Sequence, residues 1–82
     1  MRLDKYLKVS RIIKRRTLAK EVAEAERVEV NGRTAKPATS VAAGDKISLF
    51  FGSRTMVVEV LTTEVKAGTA HAASMYRVIS NE

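Results

Sequence analysis

The chain has 82 residues, of which 45% are hydrophobic and 29% charged. That length and mix describe one globular unit, residues 1–82, with a modest core and no room for a deep catalytic cleft. There are no cysteines and one histidine, which removes disulfides, thiolate nucleophiles, zinc and iron–sulfur ligation, and any paired-histidine metal site. Only two aspartates are present, Asp4 and Asp45, too few for a two-metal carboxylate centre. The inventory therefore argues against an enzyme, and no cofactor or metal is expected. No apolar run exceeds three residues, so no membrane span is expected. No apolar stretch follows Met1-Arg2-Leu3-Asp4, so no secretory signal is expected either, and the expected location is the cytoplasm.

The 15 Lys and Arg against nine Asp and Glu give a net charge of +6. Its placement matters more than its size. Residues 1–20 hold eight bases (Arg2, Lys5, Lys8, Arg11, Lys14, Arg15, Arg16 and Lys20) and one acid, Asp4, while residues 21–82 hold seven bases and eight acids. A positive field confined to one segment, with almost no interleaved Glu, points to a polyanion partner rather than a balanced solvated face. No large aromatic face accompanies it, which disfavours an anionic membrane surface.

In chain order, a first helix is predicted from about Leu3, with Asp4 in its first turn complementing the helix dipole. Leu3, Tyr6, Leu7 and Ser10 share one stripe, and Arg2, Lys5, Lys8 and Arg11 lie around the opposite flank. Lys14-Arg15-Arg16 breaks the pattern as a basic connector. Thr17 is the predicted N-cap of a second helix, Leu18 to about Glu26, whose buried stripe is Leu18, Val22 and Ala25. Ala19 and Ala23 would permit close approach to the first helix.

After Arg27 the period changes to two. Val28 and Val30 alternate with Glu29, and Asn31-Gly32 is a strong hairpin signal, because both turn residues must adopt positive φ. Residues 33–36 form the short return strand, ended by Pro37. Gly44-Asp45 marks another turn. A strand over 46–51 points Ile47, Leu49 and Phe51 inward, and Gly52-Ser53 connects it to a strand over 54–61 with Met56, Val58 and Val60 on one face. Residues 64–74, rich in Ala, Gly and Thr, read as a loop, and 75–79 as the last strand. The fold class is α+β: an N-terminal two-helix hairpin packed on a small antiparallel β-sheet.

The ordered set Leu3-Asp4-Lys5-Tyr6-Leu7 through Ser10-Arg11, then Arg16-Thr17-Leu18-Ala19, then Arg27-Val28-Glu29-Val30-Asn31-Gly32 and Gly44-Asp45, resembles the S-four RNA-binding domain over roughly residues 1–50. Strands over about 46–79 would complete it. Within that family the stretch from Lys8 to Thr17 and the Met75-Tyr76 element look more like the RqcP type of ribosome-associated quality-control factor than the heat-shock type. The heat-shock type usually carries a long basic tail after the strands, and no such tail is expected here. One departure concerns Glu26, where many members place Gly to end the second helix in a left-handed conformation; Glu there costs roughly 1 kcal/mol more.

The resemblance implies a non-catalytic factor, expected to be monomeric, that lies against structured RNA on obstructed large ribosomal subunits. Its implied partners are ribosomal RNA, the P-site peptidyl-tRNA and an RqcH-type alanine-tailing factor. Candidate RNA-binding residues are Arg2, Arg11 and Arg16 first, then Lys5, Lys8 and Arg15, since Arg binds phosphate oxygens bidentately. Asp4 has two readings of equal weight: orienting a neighbouring base, or serving only as a helix-start acid. Tyr6 reads as core, Ser10 as packed or bonded back within its helix, and Asn31 and Gly32 as turn residues. His71, Lys46, Arg54, Lys66 and Arg77 read as solvated. Alternatives are a heat-shock-type protein recycling subunits with nascent chains, an accessory subunit recruiting a modifying enzyme to RNA, or a DNA-binding helix-turn-helix protein. The last is disfavoured by Glu21, Glu24 and Glu26 among the outward residues of the second helix.

Overall fold

A stripe of Leu3, Tyr6, Leu7 and Ser10 at helical spacing has one stable use, which is to close over a sheet. In the computed structural model, which describes residues 1–65 and 69–81, it does so. Helix α1 spans Leu3–Val9, and all four side chains are buried. The phenol of Tyr6 donates to the carbonyl of Met75 at 2.8 Å, which joins the helix to the last strand. Burial, with Tyr76 nearby, holds that phenol far above its ordinary pKa. Ser10 donates to the carbonyl of Leu7 at 3.4 Å.

Helix α2 spans Arg16–Glu24. It begins two residues before the expected start, with extended Arg15 at the N-cap position and no side-chain cap, so Thr17 does not serve as the cap. Its buried face is also rotated by one residue. Ala19 and Ala23 are fully buried, whereas Leu18 is 46% exposed and Ala25 lies outside the core. Packing explains the rotation, because the distance between helices is set by the side chains at their contact. With α1 already presenting bulky residues, the helix that lies close to it offers its alanines.

The end of α2 shows how Glu26 is accommodated. It adopts φ of 62°, its N–H donates to the carbonyl of Ala23, and the N–H of Arg27 donates to that of Val22. This pair of bonds is a Schellman closure, which satisfies carbonyls the helix would otherwise leave open.

Five strands follow: β1 (Val28–Val30), β2 (Arg33–Thr34), β3 (Lys46–Phe51), β4 (Arg54–Val60) and β5 (Tyr76–Asn81), with a short helix, α3 (Thr69–Ala73), between the last two. The sheet is antiparallel with the order β2-β1-β3-β4-β5. Asn31 and Gly32 carry φ of 53° and 82°, the double positive turn that joins β1 to β2. The amide of Asn31 donates to Asp45 at 3.2 Å and its oxygen accepts the Lys46 N–H at 3.0 Å. Asp45 also accepts the Ala42 N–H at 2.9 Å, so this second aspartate ties the turn before β3 to the hairpin.

Three expectations are corrected here. Residues 69–73 are helical rather than loop, because an alanine-rich segment forms helix readily once Ala72 and Met75 find cover in the core. The last strand runs 76–81, and Met75 is core, not strand. Phe51 has the same side-chain parity as fully buried Ile47 and Leu49 but is 41% exposed, since the helical cover stops short of the β3–β4 turn. Lys66 lies outside the described residues. Among those described, no helix is long and apolar enough to cross a membrane.

Candidate nucleic-acid interface

The first turn of α1 is built against the segment after β2. The N–H groups of Leu3 and Asp4 donate to the carbonyls of Thr39 and Pro37 at 2.8 and 3.1 Å, and that of Tyr6 donates to the carbonyl of Arg2. The Lys5 N–H is taken by the carboxylate of Asp4 at 2.7 Å. Every early donor of the helix therefore has an internal partner, and any anion must be met by side chains.

Those side chains are assembled by the connector between the helices. Arg11 adopts φ of 62° and its N–H returns to the carbonyl of Lys8, while the N–H of Ile13 reaches the carbonyl of Leu7. Ile13 is buried. The chain is thus folded back along α1, and the first residue of α2 arrives beside the first turn of α1. Arg16 donates to Asp4 Oδ1 at 3.5 Å across twelve residues of sequence. Arg2 approaches from the other side with two bonds, Nε to Oδ1 and Nη2 to Oδ2, both 3.2 Å.

Asp4 is at the centre of this arrangement. Its side chain is 3% exposed, while those of Arg2 and Arg16 are 51% and 49% exposed. Burial pushes its carboxyl upward. The hydrogen bonds from Arg2 and the Lys5 amide, with the charges of Arg16 and Arg2, outweigh that and hold it below its ordinary pKa. The carboxylate stays ionised and grips two guanidinium groups whose outer edges face solvent. Each Arg has five N–H donors, so most remain free to bind an incoming anion.

Lys5 and Lys8 follow along the exposed side of α1, with Lys8 one turn beyond Asp4. Arg11, Lys14 and Arg15 are exposed on the connector. Among the described residues, no carboxylate lies within ion-pairing distance of Lys5, Lys8, Arg11, Lys14 or Arg15. Elsewhere, Arg77 is ion-paired with Glu59, Lys36 with Glu26, and Arg54 donates to Asn81 at 3.2 Å. His71 bonds the carbonyl of Glu64 at 2.6 Å. Exposed Glu21 and Glu24 accompany Lys20 on α2. Among the described residues, no cluster of three or more His, Cys, Asp or Glu is placed to hold a metal ion. Sequence reasoning missed Leu18, which was expected in the core and instead stands exposed one turn from Arg15. Its only signal was that the Ala19–Ala23 spacing competes with Leu18–Val22 for the same role.

A helix pair carrying this layout, joined to a β-hairpin by an Asn-Gly turn, agrees with a known family pattern, the S4 domain, which matches residues 1–47. The chain belongs to the S4 domain family. The matched S4 segment contains both long helices, the β1–β2 hairpin and all seven candidate residues, and ends within β3. Over its whole length the chain is 52% identical to an RQC P-site tRNA stabilizing factor of Listeria monocytogenes, covering 89% of that protein. It is 46% identical to the Bacillus subtilis protein of the same name, covering 95% of it. Identity to heat shock protein 15 of Escherichia coli is 36% over 93% of this chain and 58% of that one. Among solved structures, the trimeric heat shock protein 15 of Vibrio cholerae superposes with a TM-score of 0.86 at 33% identity, covering 98% of this chain and 82% of that one. None of these S4 relatives bears the name of an enzyme.

Proposed function

We propose that this chain is a non-catalytic RNA-binding factor of ribosome-associated quality control. It binds obstructed large ribosomal subunits, contacts ribosomal RNA and the P-site peptidyl-tRNA, and supports alanine tailing of stalled nascent chains by an RqcH-type partner. It acts as a cytoplasmic monomer.

The observation that carries this reading is the Arg2–Asp4–Arg16 cluster continued by Lys5, Lys8, Arg11 and Arg15, none of the last four having an acid partner among the described residues. Side chains cannot enter the deep major groove of A-form RNA, so recognition rests on phosphates, 2′-hydroxyls and shape. A guanidinium already held in place loses less rotamer freedom on meeting a phosphate than a free one. Such a factor breaks no bond. It adds binding energy to one tRNA position and thereby lengthens the time available to the tailing partner. The names of the relatives with about half their residues identical support the tRNA and quality-control parts of the reading. Recycling of large subunits that still hold nascent chains is the second reading, favoured by the fold likeness to heat shock protein 15 and disfavoured by the lower identity.

Arg16→Ala tests the proposal. Its side chain is half exposed and its ion pair is single, so the change should alter stability by only about 0.5 kcal/mol. Subunit association and alanine tailing should both fall. An Arg16→Ala protein that tails normally would remove the assigned role, and subunit binding without any effect on tailing would favour the recycling reading.

A further inference from the structure

Beyond the basic face, the inner side of the sheet has an uncovered end. Leu49, Met56 and Asn81 lie in one cross-strand row, and Phe51 and Arg54 pair two positions further along β3, in the next row on the same face. Leu49 is fully buried, but Phe51 is 41% exposed. Here the sheet and the connector enclose a depression of about 290 Å³ lined by Ile12, Phe51, Arg54, Met56 and Asn81. Its wall on the connector side, Ile12, follows Arg11 and precedes Lys14 by two residues. The cations that have no acid partner among the described residues therefore continue along the connector that forms this wall.

We propose that this depression receives a single unpaired nucleobase of the bound RNA. The inference rests on the RNA-binding reading above and extends it from phosphate contacts to a base site. The volume is at the small end of ligand sites, sufficient for one planar heterocycle and too small for a helix or an extended peptide. Phe51 supplies a ring face, and the guanidinium of Arg54, its cross-strand neighbour, a second planar group; both stack well on bases. Asn81 presents an amide with donor and acceptor capacity. Its oxygen accepts from Arg54 Nη2 at 3.2 Å, and among the described residues its two N–H donors have no acceptor, so they can meet a base edge. Ile12 and Met56 complete apolar walls. Among the described residues, no carboxylate lines the depression, while exposed Arg11 and Lys14 lie on either side of Ile12 in the chain and would meet the phosphates flanking an extruded nucleotide. An aromatic side chain of a protein partner would fill the same walls but leave those cations without counter-charge, so charge complementarity favours RNA. Unpaired, splayed bases are also the features that proteins read in folded RNA.

Two RNA hairpins that differ only by one unpaired adenosine in the stem, titrated against the full chain, test this. The hairpin with the unpaired base should bind at least about fivefold more tightly, the lower end of what losing one base–aromatic stack removes. Phe51→Ala should abolish that preference. Phe51→Trp should keep it, with its indole fluorescence quenched by the bulged hairpin alone, and this variant decides the matter if Phe51→Ala does not fold. Equal affinity for both hairpins, with each weakened by Arg16→Ala, would overturn the base site and leave the basic face standing. Equal affinity together with Phe51-dependent subunit binding would assign the depression to a protein partner instead. A preference that survives Phe51→Ala would also overturn it, and failure to bind either hairpin would remove the RNA-binding reading and the base site together.

Discussion

Asp4 decides whether the interface is a set of charges or a built geometry. A carboxylate between two arginines subtracts one charge from a surface meant for a polyanion, so charge counting alone says that its removal should strengthen RNA binding. The geometry says the opposite, since Asp4 fixes both guanidinium groups by bonds of 3.2–3.5 Å and accepts the Lys5 N–H. Asp4→Asn should therefore weaken RNA binding despite raising the net positive charge, and lower stability by roughly 1–2 kcal/mol, as the loss of a charged hydrogen-bond acceptor does. Tighter binding by the variant in parallel RNA titrations would reject the positioning role. The pH dependence has a definite sign. Because the folded state holds the Asp4 carboxyl below its ordinary pKa, its contribution is fully present above the unfolded value of about 3.9. It is lost as pH falls through the lower folded-state value. Acid unfolding of the parent should thus show a component below about pH 4 that Asp4→Asn lacks.

At the scale of elements, two exposed residues in the left-handed conformation terminate the two long helices, and they separate stability from function. Glu26 and Arg11 both have φ of 62°, where a Cβ costs roughly 1–2 kcal/mol that Gly avoids. Part of that gain is offset by the greater freedom of Gly in the unfolded chain, and at position 26 by loss of an exposed 3.6 Å ion pair with Lys36, which is worth little. Glu26→Gly and Arg11→Gly should each raise stability by about 0.5 kcal/mol, or roughly 2–4 °C in melting temperature. Only Arg11→Gly should weaken RNA binding. If it bound RNA as well as the parent, Arg11 would be removed from the interface. The same elements show what was legible in the sequence. The α1 stripe and the Asn31-Gly32 hairpin follow from local spacing and local backbone demands, and both are as expected. The rotation of α2 was not legible, because two stripes, Leu18–Val22 and Ala19–Ala23, compete and only the bulk of α1 chooses between them. The exposure of Phe51 depends on where the helical cover ends. The Asp4–Arg16 contact depends on a connector that doubles back through Arg11, and neither fact is carried by a local pattern.

For the whole molecule, the uneven charge becomes a measurable ion count. The seven candidate side chains comprise six cations and one acid held between two of them. Each phosphate neutralised by a cation releases condensed counterions, which makes log affinity fall with log salt by about 0.7 per contact on single strands and 0.9 on duplex. If Lys5, Lys8, Arg11, Arg15 and the Arg2–Arg16 pair all meet phosphate, the slope for isolated large subunits or a structured RNA should be about −4. Replacing Lys8 with Ala should reduce it by nearly one, since Lys8 has no acid partner among the described residues to mask its loss. Changing Arg77 to Ala should leave it almost unaltered, because that cation is already engaged with Glu59 at the far side of the sheet. The comparison isolates position from net charge, as both variants remove one positive charge from the same molecule. A slope that falls equally in the two would show that the protein is attracted by its total charge alone, whereas a difference confined to Lys8 is what a directed contact surface requires.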